Sequence, residues 1–212
     1  MGLNRYTELC MGKAFTITDK QVKIPMCDEY KEVFEKWIQE KRYITINYGA
    51  DEMRKGQKQL KMWSKEHYQK FAELMKEQSA GIEIVQLGGK DAEKIDGVDA
   101  CILGERLEFV KWILKHSECH VDCEGGLVHL ATQLGTKCIV LFGPTPLHMY
   151  GYEQNINLVS PICNNCMGLQ EDWAYRCCRT LESGEITPVC MKDITPQMVC
   201  DVCTEILMGK VS

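Results

Sequence analysis

Between residues 42 and 142 short β-rich runs alternate with longer amphipathic segments, and this alternation restricts the possible folds more than any other feature. RYITINY (42–48), IEIVQL (82–87), ECHVD (118–122) and KCIVLF (137–142) read as strands by their apolar, β-branched and aromatic content. SKEHYQKFAELMKEQ (64–78), ERLEFVKWILKH (105–116) and GLVHLATQLG (126–135) carry helical spacing. In the first of these, Ser64 is an expected N-cap, and Tyr68, Phe71, Ala72 and Met75 share the inward face. Strands alternating with helices of this length imply parallel βαβ units, hence an α/β fold with a doubly wound parallel sheet.

Two flanks surround this core. Residues 1 to about 27 show no period, and CDEYKEVFEKWIQEK (27–41) then sets Tyr30, Val33, Phe34, Trp37 and Ile38 on one helical face. Residues 1–41 form a lead-in segment and helix, 42–155 the sheet domain, and 156–212 a cysteine-rich segment closed by a helix. That last helix, within TPQMVCDVCTEILM, is expected to be capped by Thr195 with Pro196 at its first position. The net charge of -5 argues against a nucleic-acid or membrane-surface binder. No apolar run reaches the roughly 18 residues of a membrane helix, and no signal peptide is legible. Thirteen cysteines in a chain with 45% hydrophobic residues read as reduced thiols of a cytoplasmic protein, some of them metal ligands.

VDCEGGLVHLATQLG (121–135) carries the chemistry. Glu124, Gly125 and Gly126 stand at the mouth of a helix that Gly135 closes with a left-handed cap. In an open parallel sheet, ligands bind beyond the carboxyl ends of the strands, and a helix N-terminus there offers N–H groups to a phosphate. The glycines either make room for that phosphate or serve only the dihedrals of a tight turn. His129, one turn inside and off the apolar stripe, is either a packing residue or a ligand contact. Lys61, just before a helix, is either a solvated lysine or a second phosphate-facing cation. The absence of GxGxxG disfavours a nicotinamide or flavin dinucleotide.

Cys163 and Cys166, two residues apart, are followed by Cys177, Cys178 and Cys190. Four such thiolates would complete a closed tetrahedral site for zinc or iron, with Pro161, Asn164, Asn165 and Gly168 supplying turn residues. The alternative is a set of reduced structural cysteines. Cys200 and Cys203 also lie two residues apart, but Cys203 shares a helical face with Val199 and Ile206, which indicates packing.

KMWSKEHY, IEIVQLGGKDA and EGGLVHLATQLGTKCIVLFGPT, in that order, resemble glycosyltransferase family 9, the bacterial ADP-heptose heptosyltransferases. The resemblance runs from about residue 42 to 150 and more loosely to the C-terminus. It implies a Rossmann-like sheet that is the C-terminal, donor-binding half of a GT-B fold. It matches Lys61 to a lysine at the donor phosphates. Glu124, Gly125, Gly126 and His129 match a segment contacting the pyrophosphate and sugar, and Asp91 falls near an acidic residue that helps hold adenosine. Thr145 ends the matched strand. Ser64 stands where the family has proline, Glu124 where it has Asp, and Gly125 where it has Thr. The implied activity is inverting transfer of a heptose or similar sugar from an ADP-sugar to a hydroxyl of a glycan, a lipopolysaccharide core or a protein. The acceptor domain and its general base are expected outside this chain, which reads as a possible fragment of a longer enzyme, and no catalytic residue is assigned within it. A related branch, the autotransporter heptosyltransferases, is similar in carrying a four-cysteine iron centre, which implies Cys163, Cys166, Cys177 (or Cys178) and Cys190 as ligands. The competing reading is a non-catalytic metal-containing interaction module built on the same fold.

Overall fold

The computed structural model describes residues 22–49, 56–169, 171–177, 179 and 188–210. Expectations for residues 1–21 and for Cys178 fall outside them. Six strands form one parallel sheet: β1 (Arg42–Asn47), β2 (Ile82–Gly88), β3 (Ala100–Leu103), β4 (His120–Cys123), β5 (Cys138–Phe142) and β6 (Ile156–Val159). Their order is β3-β2-β1-β4-β5-β6, that of a Rossmann-like doubly wound sheet. Its seven helices among the described residues are α1 (Glu29–Ile38), α2 (Lys65–Gln78), α3 (Leu107–Lys115), α4 (Gly126–Gln133), α5 (Leu147–Tyr150), α6 (Val189–Asp193) and α7 (Pro196–Leu207).

Burial follows the strand alternation. One face of the sheet, with Ile44, Ile46, Ile84, Val121, Ile139 and Leu141, packs beneath α2 and α7. The other, with Tyr43, Val85, Leu87, Val140 and Phe142, packs beneath α1, α3 and α4. Because helices cover both faces, β4 and β5 are buried along their whole length. Tyr68, Phe71, Ala72 and Met75 face inward from α2, and the Ser64 hydroxyl accepts from the His67 N–H to cap it. Thr195 caps α7 through the Met198 N–H, with Pro196 at the first position. Val199, Cys200 and Cys203 are fully buried there, as packing residues.

Three expectations change. β3 and β6, the two edges of the sheet, were not foreseen as strands. Each has four residues and is only partly buried, too short for a period of two to register. The short helices α5 and α6 were also unforeseen. Val33 is 50% exposed rather than inward, at the flank of the apolar stripe by which α1 docks on α3 and on Tyr43 of the sheet. Phe34 stacks on Trp112 in that contact, and Trp112 Nε1 donates to the Cys27 carbonyl, tying the lead-in to α3.

Candidate functional site at the strand-order reversal

From β1 the chain proceeds to β2 and β3 on one side and later to β4, β5 and β6 on the other, so the strand order reverses between β1 and β4. The connections leaving those two strands diverge and open a crevice. Lys61 lies on the segment after β1, and Glu124 and α4 follow β4 directly. Lys61 is flanked by anchors. The Leu60 N–H donates to the Ala174 carbonyl at 2.8 Å. Trp63, fully buried, donates from Nε1 to the Ile194 carbonyl at 2.8 Å and from its backbone N–H to Cys123 Sγ at 3.2 Å.

These anchors bring Lys61, Glu124 and His129 together. Lys61 Nζ donates to the Glu124 carbonyl at 2.9 Å and lies 3.6 Å from Glu124 Oε2. His129 Nε2 lies 3.5 Å from Glu124 Oε1, and its Nδ1 lies 3.0 Å from the Tyr152 hydroxyl. Burial opposes ionisation of Glu124, but the contacts with His129 and Lys61 outweigh it and hold the carboxyl below its usual range. Glu124 is 7% exposed, so this is a largely desolvated cluster at a crevice mouth.

The two glycines also become interpretable. Neither Gly125 nor Gly126 has a positive φ; Gly125 is extended, a conformation open to any residue. The turn therefore does not require glycine for its dihedrals. A Cβ at Gly126 would meet nothing within 4 Å, and one at Gly125 only the Cys123 carbonyl at 3.6 Å. What the glycines preserve is open space. No side chain caps α4, so its first-turn N–H groups point into that space with the positive end of the helix dipole.

Asp91 is not part of this grouping. It is exposed in the turn beyond β2, with β1 between its strand and β4. Thr145, beyond β5, is buried with no hydrogen-bond partner for Oγ1 among the described residues.

A second polar group lies directly beneath, inside the sheet. The Thr45 hydroxyl lies 3.0 Å from His120 Nδ1 and 3.1 Å from the Ser117 hydroxyl, and Asn47 Nδ2 donates to Asp122 Oδ2 at 3.0 Å. His120 Nε2 lies 3.6 Å from the same Asp122 oxygen. Burial raises the Asp122 carboxyl, with His120 and Asn47 offsetting part of the effect. Sequence reading overlooked this group and Tyr152. The polar alternation Thr45, Asn47 against His120, Asp122 on two strands was a usable signal; Tyr152 had none, being 23 residues from His129.

The cysteines form a neighbourhood of their own. Burial pushes the Cys190 thiol up to about 12, and the nearby Cys163, Cys166 and Cys177 push in the same direction. Asn165 and Gly168 take left-handed conformations in the knuckle (φ 55° and 78°), and the Asn165 N–H donates to the Gly143 carbonyl at 3.0 Å. The four thiols thus share one electrostatic environment, but among the described residues no three His, Cys, Asp or Glu side chains are disposed to hold a metal ion. Cys163 and Cys166 lie partly exposed on a loop, while Cys177 and Cys190 are buried, the latter on α6.

The model of glycosyltransferase family 9 (heptosyltransferase) matches residues 4–172. No curated protein sequence matches the chain. Among solved structures, ADP-heptose lipopolysaccharide heptosyltransferase II of E. coli is similar with a TM-score of 0.62 at 16% identity, covering 91% of this chain and 54% of that one. A family 9 glycosyltransferase of Veillonella parvula gives 0.67 at 14% identity, covering 98% and 61%. The iron-containing dodecameric glycosyltransferase TibC of enterotoxigenic E. coli gives 0.62 at 17% identity, covering 79% and 45%. The chain thus spans about half the length of these relatives.

Proposed function

The chain belongs to glycosyltransferase family 9, and on that premise we propose that it carries the donor site of an inverting glycosyltransferase that takes heptose or a similar sugar from an ADP-sugar. The observation that supports this most is the convergence of Lys61, Glu124 and His129 beside the open N-terminus of α4. Lys61 and the first-turn N–H groups would stabilise the negative charge that develops on the ADP leaving group. His129 and Glu124 offer a donor and an acceptor to the sugar-phosphate region. An acceptor hydroxyl, of a glycan, a lipopolysaccharide core or a protein, would attack the anomeric carbon from the face opposite the departing diphosphate. Its general base is assigned to an acceptor-binding domain outside this chain.

Iron or zinc is the metal we assign to Cys163, Cys166, Cys177 and Cys190, which share one electrostatic neighbourhood. Held by four protein thiolates it would cross-link the segment and keep no open position for chemistry. Elemental analysis of the purified protein, with Cys190→Ser as the variant that loses the metal, tests this.

One observation favours a second reading, a non-catalytic module. The Glu124 carboxylate already faces both Lys61 and His129, where an anionic ligand would have to compete with it. Calorimetric titration with ADP, UDP and GDP decides between the two. The donor-site reading expects selective ADP binding that Lys61→Ala weakens about tenfold or more. Absence of nucleotide binding favours the module.

A further inference from the structure

The loop between α5 and β6 contributes a residue that no motif singles out. Tyr152 lies on the approach to β6, whose Ile156 pairs with Ile139 near the start of β5, and its backbone is clamped: its carbonyl accepts from Asn157 Nδ2 at 2.9 Å and from the Asn155 N–H at 3.2 Å. Asn155 is itself buried, with Nδ2 donating to the Thr132 hydroxyl on α4 at 2.7 Å. The tyrosine ring thus stands on a support joined to the same helix that carries His129. The two rings meet edge-to-face with centroids 5.5 Å apart, and the hydroxyl reaches Nδ1 at 3.0 Å.

The direction of that hydrogen bond follows from the other side of the imidazole. Glu124 is held ionised by Lys61 and His129, and a carboxylate can only accept. The nitrogen facing it, Nε2, must therefore carry a proton. In the neutral ring this leaves Nδ1 as the acceptor, so the tyrosine hydroxyl donates. We infer that Tyr152 is a positioning residue of the donor site: it donates to Nδ1 and thereby fixes His129 as the Nε2–H tautomer aimed at Glu124 and the mouth of α4. The chain Asn157–Tyr152–His129–Glu124–Lys61 then links the β5–β6 connection to the segment after β1. This rests on the donor-site reading for its consequence, but not for its geometry.

The test has two arms on the full chain. In the first, imidazole nitrogens are observed by NMR at roughly pH 8.5, above the ordinary histidine range. His129→Gln identifies the His129 signals among the five histidines. The expected result is a proton on Nε2, none on Nδ1, and movement of the Nδ1 resonance toward an unbonded imine nitrogen in Tyr152→Phe. A proton on Nδ1, or an Nδ1 resonance indifferent to Tyr152→Phe, overturns the inference. In the second arm, ADP is titrated into wild type, Tyr152→Phe, His129→Ala and the double variant. Tyr152→Phe should weaken ADP binding about fivefold in the wild-type background and leave it unchanged in the His129→Ala background. Equal losses in both backgrounds would mean that Tyr152 acts by general packing, which also overturns the inference. If wild type binds no ADP, the donor-site reading fails, while the NMR arm still decides the role of Tyr152.

Discussion

Glu124 and Asp122 are separated by one residue at the end of β4, and their surroundings push them in opposite directions. Glu124, at the crevice mouth, is held below the usual carboxylate range because the contacts with His129 and Lys61 outweigh its burial. Asp122, inside the sheet, is raised because burial outweighs its contacts with His120 and Asn47. A step of two residues along one strand thus separates a charge ready to meet a ligand from one that the fold resists. The upper cluster (Lys61, Glu124, His129, Tyr152) fits a binding role; the lower one (Thr45, Asn47, His120, Asp122) holds two strands together.

Substitutions should separate the two clusters. The largest effect on stability is expected from Asp122→Ala, which takes the acceptor from Asn47 Nδ2 and the neighbouring carboxyl from His120. A loss of about 2–4 kcal/mol in urea denaturation is the expected outcome, and a loss as small as that of a rim substitution would mean that the lower cluster is solvated. Glu124→Gln should act on binding as well. Removing the carboxylate that competes for Lys61 is expected to tighten ADP binding roughly fivefold, and weaker ADP binding would show that the charge itself helps hold the nucleotide.

Titration sharpens the same contrast. Carboxyl resonances followed by NMR should show Asp122 taking up its proton above its ordinary value of 3.8 and Glu124 below its ordinary value of 4.5. The signs for stability are opposite. The interactions of Glu124 contribute fully above its ordinary value of 4.5 and are lost as pH falls through its lowered native value. Ionised Asp122 disfavours the fold, and that cost is relieved as pH falls through its raised native value toward 3.8. A shift of either carboxyl in the opposite direction would undo the distinction. The smallest effect is expected from Gly126→Ala. The methyl group enters open space, so stability should hold or rise by up to about 1 kcal/mol, while ADP binding weakens severalfold because that space is the mouth of α4.

Much of this was readable in the residues, for definite reasons. α2 was legible because Ser64 caps it and four apolar side chains keep a helical period. The strands buried on both faces were legible because their apolar runs are unbroken. β3 and β6 were not, since four half-buried edge residues carry no period. For the site, the acidic-glycine mouth and Lys61 stood out individually, but nothing in their spacing shows that Lys61 and Glu124, 63 residues apart, would touch. Tyr152 enters only through folding, on a loop whose course depends on Asn155 and Asn157.

The hydrogen bond between Leu60 and Ala174 runs from main chain to main chain. A main-chain bond is indifferent to which side chains flank it, so residues 171–177 can drift in sequence without loosening their grip on the segment that presents Lys61. They cannot gain or lose a residue as easily, because that would move the Ala174 carbonyl out of reach. The trace such a constraint leaves in descendants is a stretch of constant length and changeable composition.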